Sequence, residues 1–161
     1  MDDVKRILVV SRSTQYCKKA IHYGVSLSKK YGAELYVIHV VHNPFIVGEW
    51  DVPMLSLRED YKKTIRRVKK ELDAIINSEK EKGVLIRELI REGKPTEKIL
   101  KVVQEKNIDL IIMLAHQQGR LEHFLFGRSN EEIIRKMPCS VLLVKKELEA
   151  MPVEFNDKYD W

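Results

Sequence analysis

Residues 7–41 read ILVVSRSTQYCKKAIHYGVSLSKKYGAELYVIHVV. The stretch opens with four consecutive aliphatic residues, Ile7 to Val10, a run of the kind that forms a strand buried on both faces. Ser13 or Thr14 can cap the helix after it. Ala20, Ile21, Gly24, Leu27, Ser28 and Tyr31 then recur at helical spacing, and Gly32 supplies a stop. Leu35 to Val41 returns to β-branched and aliphatic residues and reads as a second strand. A strand, a helix and a strand within so short a stretch form a parallel pair joined by a right-handed crossover.

The alternation continues outward from this unit. A polar and aromatic connection around Asn43-Pro44-Phe45, Gly48 and Pro53 leads to a long helix predicted from Leu57, with Leu57, Tyr61, Ile65, Val68, Leu72, Ile75 and Ile76 on one face and Gly83 at its end. Val84 to Ile90 is a third strand, interrupted by Arg87 and Glu88 and so suited to a sheet edge. Pro95 fits the first turn of a third helix that carries Ile99, Leu100 and Val103 and stops at Asn107. Ile108 to Leu114, nearly all aliphatic, is a fourth strand with a central place in the sheet. After a loop from Ala115 to Gly127, the spacing of Ser129 and Glu132 predicts a capping box for a fourth helix containing Ile133, Ile134 and Met137. Val141 to Val144 is the fifth strand. Five strands alternating with four helices imply an α/β fold with a mainly parallel sheet covered on both faces.

The chain has 161 residues, 44% hydrophobic and 33% charged, with a net charge of +5. These values describe one globular domain with a core large enough to need no staples. No apolar run is long enough to span a membrane, and the acidic start Met1-Asp2-Asp3 differs from a basic targeting peptide, so a cytoplasmic location is expected. Cys17 and Cys139 stand far apart without a CxxC or Cys/His cluster, which signals neither a disulfide framework nor a zinc site. The charge is uneven. Residues 147–161 contain Glu147, Glu149, Glu154, Asp157 and Asp160 against Lys158 alone, a balance of −4, leaving +9 for the rest. The domain is therefore assigned to 1–146 and an acidic tail to 147–161. The tail scatters Met151, Phe155, Tyr159 and Trp161 without period and reads as an irregular appendage, with three readings open: it packs on the basic body, engages a protein partner or is disordered.

Several segments resemble the universal stress protein family. Its opening typically reads ILVPVDGS, matched here by ILVVSRST from Ile7. Its third helix and fourth strand resemble PTEKILKVVQEKNIDLIIML from Pro95 to Leu114, and its end resembles LFGRSNEEIIRKMPCSVLLV from Leu125 to Val144. The resemblance implies a Rossmann-like, adenine nucleotide alpha hydrolase-like sheet in the order 3-2-1-4-5. It also implies a homodimer built through the last strand, here Val141 to Val144, and a non-catalytic regulatory or binding role in the stress response. The alternative is a protein that binds ATP, AMP or another phosphate ligand and has slow ATPase activity.

Ligands on such sheets bind beyond the carboxyl ends of the strands, where strand order reverses. The resemblance thus places the cleft at Val10, Arg12 and Ser13 after the first strand, at Val40 after the second, and at His116, Gln117, Gly119, Gly127, Arg128 and Ser129 after the fourth. ATP-binding members carry G-x-x-G, nine residues, then G followed by Ser or Thr, because glycine lets backbone amides approach phosphate oxygens at a helix start. Here the first two glycines fall on Leu114 and Gln117. Gly127 is kept, and Gly119 lies near. Arg128 replaces the Ser or Thr, and Arg12 replaces the Asp of VDGS. A guanidinium donates where a carboxylate accepts, so the same contact cannot be kept. Two readings stay open: the ATP site is lost and Arg12, Gln117 and Arg128 solvate an open cleft, or Arg12, Arg120 and Arg128 surround the helix start and hold a different anion.

Other chemistry is weakly signalled. His116 and His123 lack metal-ligand spacing, and His39 and His42 read as structural histidines. Cys139 reads as a small buried hydrophobe. Ser11, Ser13 and Ser129 have no GxSxG elbow, so no nucleophile and base are paired. The basic run Lys62, Lys63, Arg66, Arg67, Lys69 and Lys70 is interrupted by acids and reads as a solvated helix face, so neither a nucleic-acid nor a membrane partner is expected.

Overall fold

A computed structural model describes residues 3–11, 17–41, 55–80, 83–115 and 127–145. The elements are β1 (Arg6–Ser11), α1 (Cys17–Tyr31), β2 (Glu34–Val41), α2 (Leu55–Lys80), β3 (Ile86–Glu92), α3 (Pro95–Lys106), β4 (Leu110–Leu114), α4 (Gly127–Lys136) and β5 (Ser140–Val144). The strands form one sheet in the order β3-β2-β1-β4-β5, and every pairing is parallel. The aliphatic run of β1 is central, with Ile7 paired to Leu35 on one side and Leu110 on the other.

Alternate side chains of each strand feed two cores. Ile7, Val9, Leu35, Val37 and Ile112 meet Ala20, Ile21 and Val25 of α1 and Leu72 and Ile76 of α2. Leu8, Val10, Ile38, Ile111 and Met113 meet Ile99, Val102 and Val103 of α3 and Ile133 of α4. The continuous apolar runs follow from this double coverage, since both sets of side chains leave water.

Gly24 brings α1 close to the sheet. A methyl placed on it would lie 2.5 Å from Val9 Cγ2 and 3.1 Å from Leu35 Cδ1. At the amino end, the Asp109 carboxylate accepts from the Lys5 and Arg6 amides at 2.9 and 2.8 Å. The Asp109 amide donates to the Arg6 carbonyl and its own carbonyl accepts from Ser140, so one turn ties together the starts of β1, β4 and β5. The fourth strand accordingly begins at Leu110 and not at Ile108.

Two boundaries differ in an informative way. β3 begins at Ile86, because Val84 is buried while Leu85 is 74% exposed, and pairing with β2 starts only at Leu35↔Ile86. α4 begins at Gly127, which puts Ser129 inside the first turn and not at the cap. Glu132 serves another purpose. Its carboxylate pairs with Lys136 Nζ at 2.9 Å, and the Lys136 and Thr96 bonds hold it below the usual carboxylate range, so it joins the start of α3 to α4.

Candidate functional site

The carboxyl ends of β1 and β4 lie side by side, and the chain leaves them for opposite layers: β1 continues to α1 and β4 to α4. This is the topological switch point, where open α/β sheets keep their ligand crevice. Arg12, Ser13, His116, Gln117 and Gly119 lie outside the described residues, as do Arg120, His42 and His123. Val10 and Val40 are at the expected strand ends, 8% and 7% exposed, with their side chains in the core below α3 and α4. Gly127, Arg128 and Ser129 form the first turn of α4. The structure thus brings the start of α4 to the same sheet end as Val10 and Val40; the side chains of Arg128 and Ser129 are outside the described residues.

A residue that belongs to no motif in the sequence fixes this helix. Asn130 is 7% exposed, and its Nδ2 donates to the Leu114 carbonyl at 3.0 Å. The last turn of β4 has a further tie, since the Ala115 amide donates to the Val144 carbonyl at 2.8 Å. Asn130 therefore holds the first turn of α4 against the end of β4, on the rim of the crevice. The first amides of an α-helix have no intrahelical acceptor, so the position of this helix start decides where an anion would find donors. The only signal in the sequence is a buried-side position in a helix occupied by a polar residue, which needs a partner.

His39 is the second polar group at this end. It sits opposite Ser11 in the β1–β2 register and is 6% exposed, and its ring bonds the Ser11 backbone carbonyl. Burial pushes its pKa below the ordinary histidine value, while the nearby Glu71 carboxylate and the Ser11 bond pull it back up. A buried histidine held neutral favours folding above its unfolded value of about 6.5, because the unfolded chain binds the extra proton more readily. That contribution is lost as pH falls through the lower folded value. In urea titrations, the stability of the wild type relative to His39→Gln is expected to fall between neutral and mildly acid pH. A constant difference would remove this role.

The remaining candidates are quiet. Cys139 is free and half-buried, and burial pushes its thiol up, opposite to what a reactive cysteine needs. Among the described residues no group of three or more His, Cys, Asp or Glu side chains could hold a metal ion. No described helix is long and apolar enough to cross a membrane.

Residues 3–145 match the universal stress protein family. The chain belongs to this family. Universal stress protein MJ0531 of Methanocaldococcus jannaschii is 30% identical over 147 residues, covering 88% of this chain and 82% of the relative. Among solved universal stress proteins, UspA from Lactobacillus plantarum superposes with a TM-score of 0.73 at 20% identity, covering 89% of this chain and 99% of that one. A universal stress protein solved in complex with cAMP shares the fold at a TM-score of 0.59 and 14% identity, covering 91% of this chain and 100% of that chain. The family match ends at residue 145, just short of the acidic segment.

Proposed function

We propose that this universal stress protein is a non-catalytic regulatory and binding module, cytoplasmic and homodimeric, whose cleft does not hold ATP as the G-x-x-G members do. The supporting observation is that the described polar side chains at the crevice rim are engaged with backbone: His39 with the Ser11 carbonyl and Asn130 with the Leu114 carbonyl. They serve to shape the rim rather than to move protons. Ligand contacts then fall to the loops, where the sequence has Arg12 in place of the family's aspartate, Leu114 and Gln117 in place of its first two glycines and Arg128 in place of its serine or threonine, with His116 and Gly119 alongside. Incubation with magnesium and ATP is expected to release no phosphate above a heat-inactivated control. Turnover that disappears in an Arg12→Ala, Arg128→Ala double variant would overturn the proposal.

One observation favours a second reading, in which AMP, ATP or another phosphate-bearing ligand binds in a different pose. The first turn of α4, which includes Arg128, is pinned at the switch point, and a helix start suits an anion. The cAMP complex of a relative adds support for an adenine nucleotide. Thermal shifts with ATP, AMP, cAMP, phosphate and sulfate test it. A rise of roughly 5–10 °C at ~100 times the dissociation constant is the size expected of a specific ligand, and no rise with any of them at millimolar concentration removes this reading.

Homodimerisation through β5 is supported by its edge position. It pairs only with β4 among the described strands, Leu143 is 45% exposed, and Val141 and Leu142 are half-buried. An apolar edge of this kind calls for a cover. Light scattering is expected to give twice the 18.9 kDa chain mass, and Leu143→Glu is expected to give the monomer. A monomeric wild type would count against it.

A further inference from the structure

The topology sorts charge by layer. α1 holds four lysines and no acid, and α2 holds eight basic residues against five acidic ones, so the α1/α2 layer carries +7. On the other face α3 and α4 each carry three basic residues against two acidic ones, +2 together. Lys62, Lys63, Arg66, Arg67, Lys69 and Lys70 are all exposed and follow one another along about 12 Å of α2. Lys18, Lys29 and Lys30 of the neighbouring α1 are exposed too, beside the half-exposed rings of Tyr23 and Tyr31. The Arg67–Glu71 pair on this layer, at 4.0 Å, is itself largely exposed and so offsets little of the charge.

We propose that the α1/α2 layer is the docking surface for the chain's own acidic segment, residues 147–161. Charge complementarity carries the assignment: this segment holds −4 in fifteen residues, together with Phe155, Tyr159 and Trp161, rings that stack on guanidiniums such as Arg66 and Arg67. Reach allows it. The segment follows β5 at one edge of the sheet, and α2 packs by β3 at the other. Crossing five strands takes about 20 Å, whereas fifteen residues extend to about 50 Å. Tethering places the segment at roughly millimolar effective concentration over the layer. The bound tail shields the layer, and high salt releases it.

The chain has two tryptophans, Trp50 and Trp161, so a Trp50→Phe variant makes Trp161 a sole reporter of the tail. Acrylamide quenching of Trp161 is expected to be at least about twofold weaker at low salt than at ~0.5 M salt. Adding Lys62→Glu, Arg66→Glu and Lys69→Glu, all at exposed positions, is expected to remove that difference while the melting temperature stays near that of the parent. Equal quenching at both salt concentrations, or a difference that survives the charge reversal, would overturn the proposal. Quenching that changes on dilution would also overturn it, by assigning the segment to a second copy. A labelled single-stranded oligonucleotide provides an independent check. It is expected to bind more tightly to a chain ending at residue 146 than to the full chain, and equal affinity contradicts shielding by the tail.

Discussion

Gly24→Val is expected to destabilise the protein by more than about 3 kcal/mol, which for a domain of this size is a fall of roughly 10 °C in Tm. Position 24 lies in the middle of α1, where a larger residue ordinarily improves the helix by up to about 1 kcal/mol for alanine. Here the gain is overridden. The first added carbon meets Val9 Cγ2 at 2.5 Å and Leu35 Cδ1 at 3.1 Å, and both belong to fully buried residues of the two central strands. Val9 is β-branched and held between β2 and β4, so it has no free rotamer into which to retreat. Either α1 lifts from the sheet or the central strands shift. Gly24→Ala is expected to cost about 1–2 kcal/mol on the same grounds. Ser26→Ala, at an exposed position of the same helix, should change stability by less than about 0.5 kcal/mol. Urea unfolding of the three variants measures this, and a Gly24→Ala protein as stable as the parent would show that α1 does not depend on the close approach.

Asn130→Asp is the second substitution with a large expected effect. It replaces the Nδ2 donor by a carboxylate oxygen facing the Leu114 carbonyl in a site only 7% exposed, so acceptor meets acceptor and a charge is buried. Asn130→Ala leaves the carbonyl without this donor and is expected to cost about 1–3 kcal/mol. The aspartate should cost more at neutral pH, and the extra cost should shrink in acid. The sign follows from linkage: burial raises the folded-state pKa above the unfolded value, so the penalty is absent below the unfolded value and grows as pH rises through it. Both variants displace the first turn of α4 and should weaken any ligand held there. Unfolding curves at several pH values, with thermal shifts for AMP and phosphate, separate the two effects. An aspartate variant no less stable than the alanine one at neutral pH would refute the assigned donor.

Much of the fold can be read from local pattern. The aliphatic runs of β1, β2 and β4 announce strands buried on both faces, and the helical spacing through Ile21 and Leu27, or through Leu72 and Ile76, announces helices with a single buried side. Patterns fail where a residue serves a partner distant in sequence. Asp109 lies next to an aliphatic run, yet its carboxylate holds amides more than a hundred residues earlier in the chain. Ser129 and Glu132 have capping-box spacing, but Gly127 starts the helix and Glu132 turns to Lys136 and Thr96 instead. In the cleft, the exchange of aspartate for Arg12 is visible in sequence, whereas Asn130 emerges only when the end of β4 is set against α4. The charge layer is a matter of topology alone. No stretch of sequence shows that α1 and α2 cover one face and α3 and α4 the other.

The central position of β1 also sets the order in which the chain can be completed. Its residues precede the other strands of this sheet in the chain, and Leu35 to His39 soon provide one neighbour, but the other begins at Leu110. A nascent chain that has not reached β4 holds the central, largely aliphatic strand of the sheet with one edge unpaired and ready to accept a foreign strand. Parallel pairing across so long a separation is slow, because loop closure must precede the contacts that reward it. Whatever protects this protein during its synthesis must therefore act until residue 114 has left the ribosome.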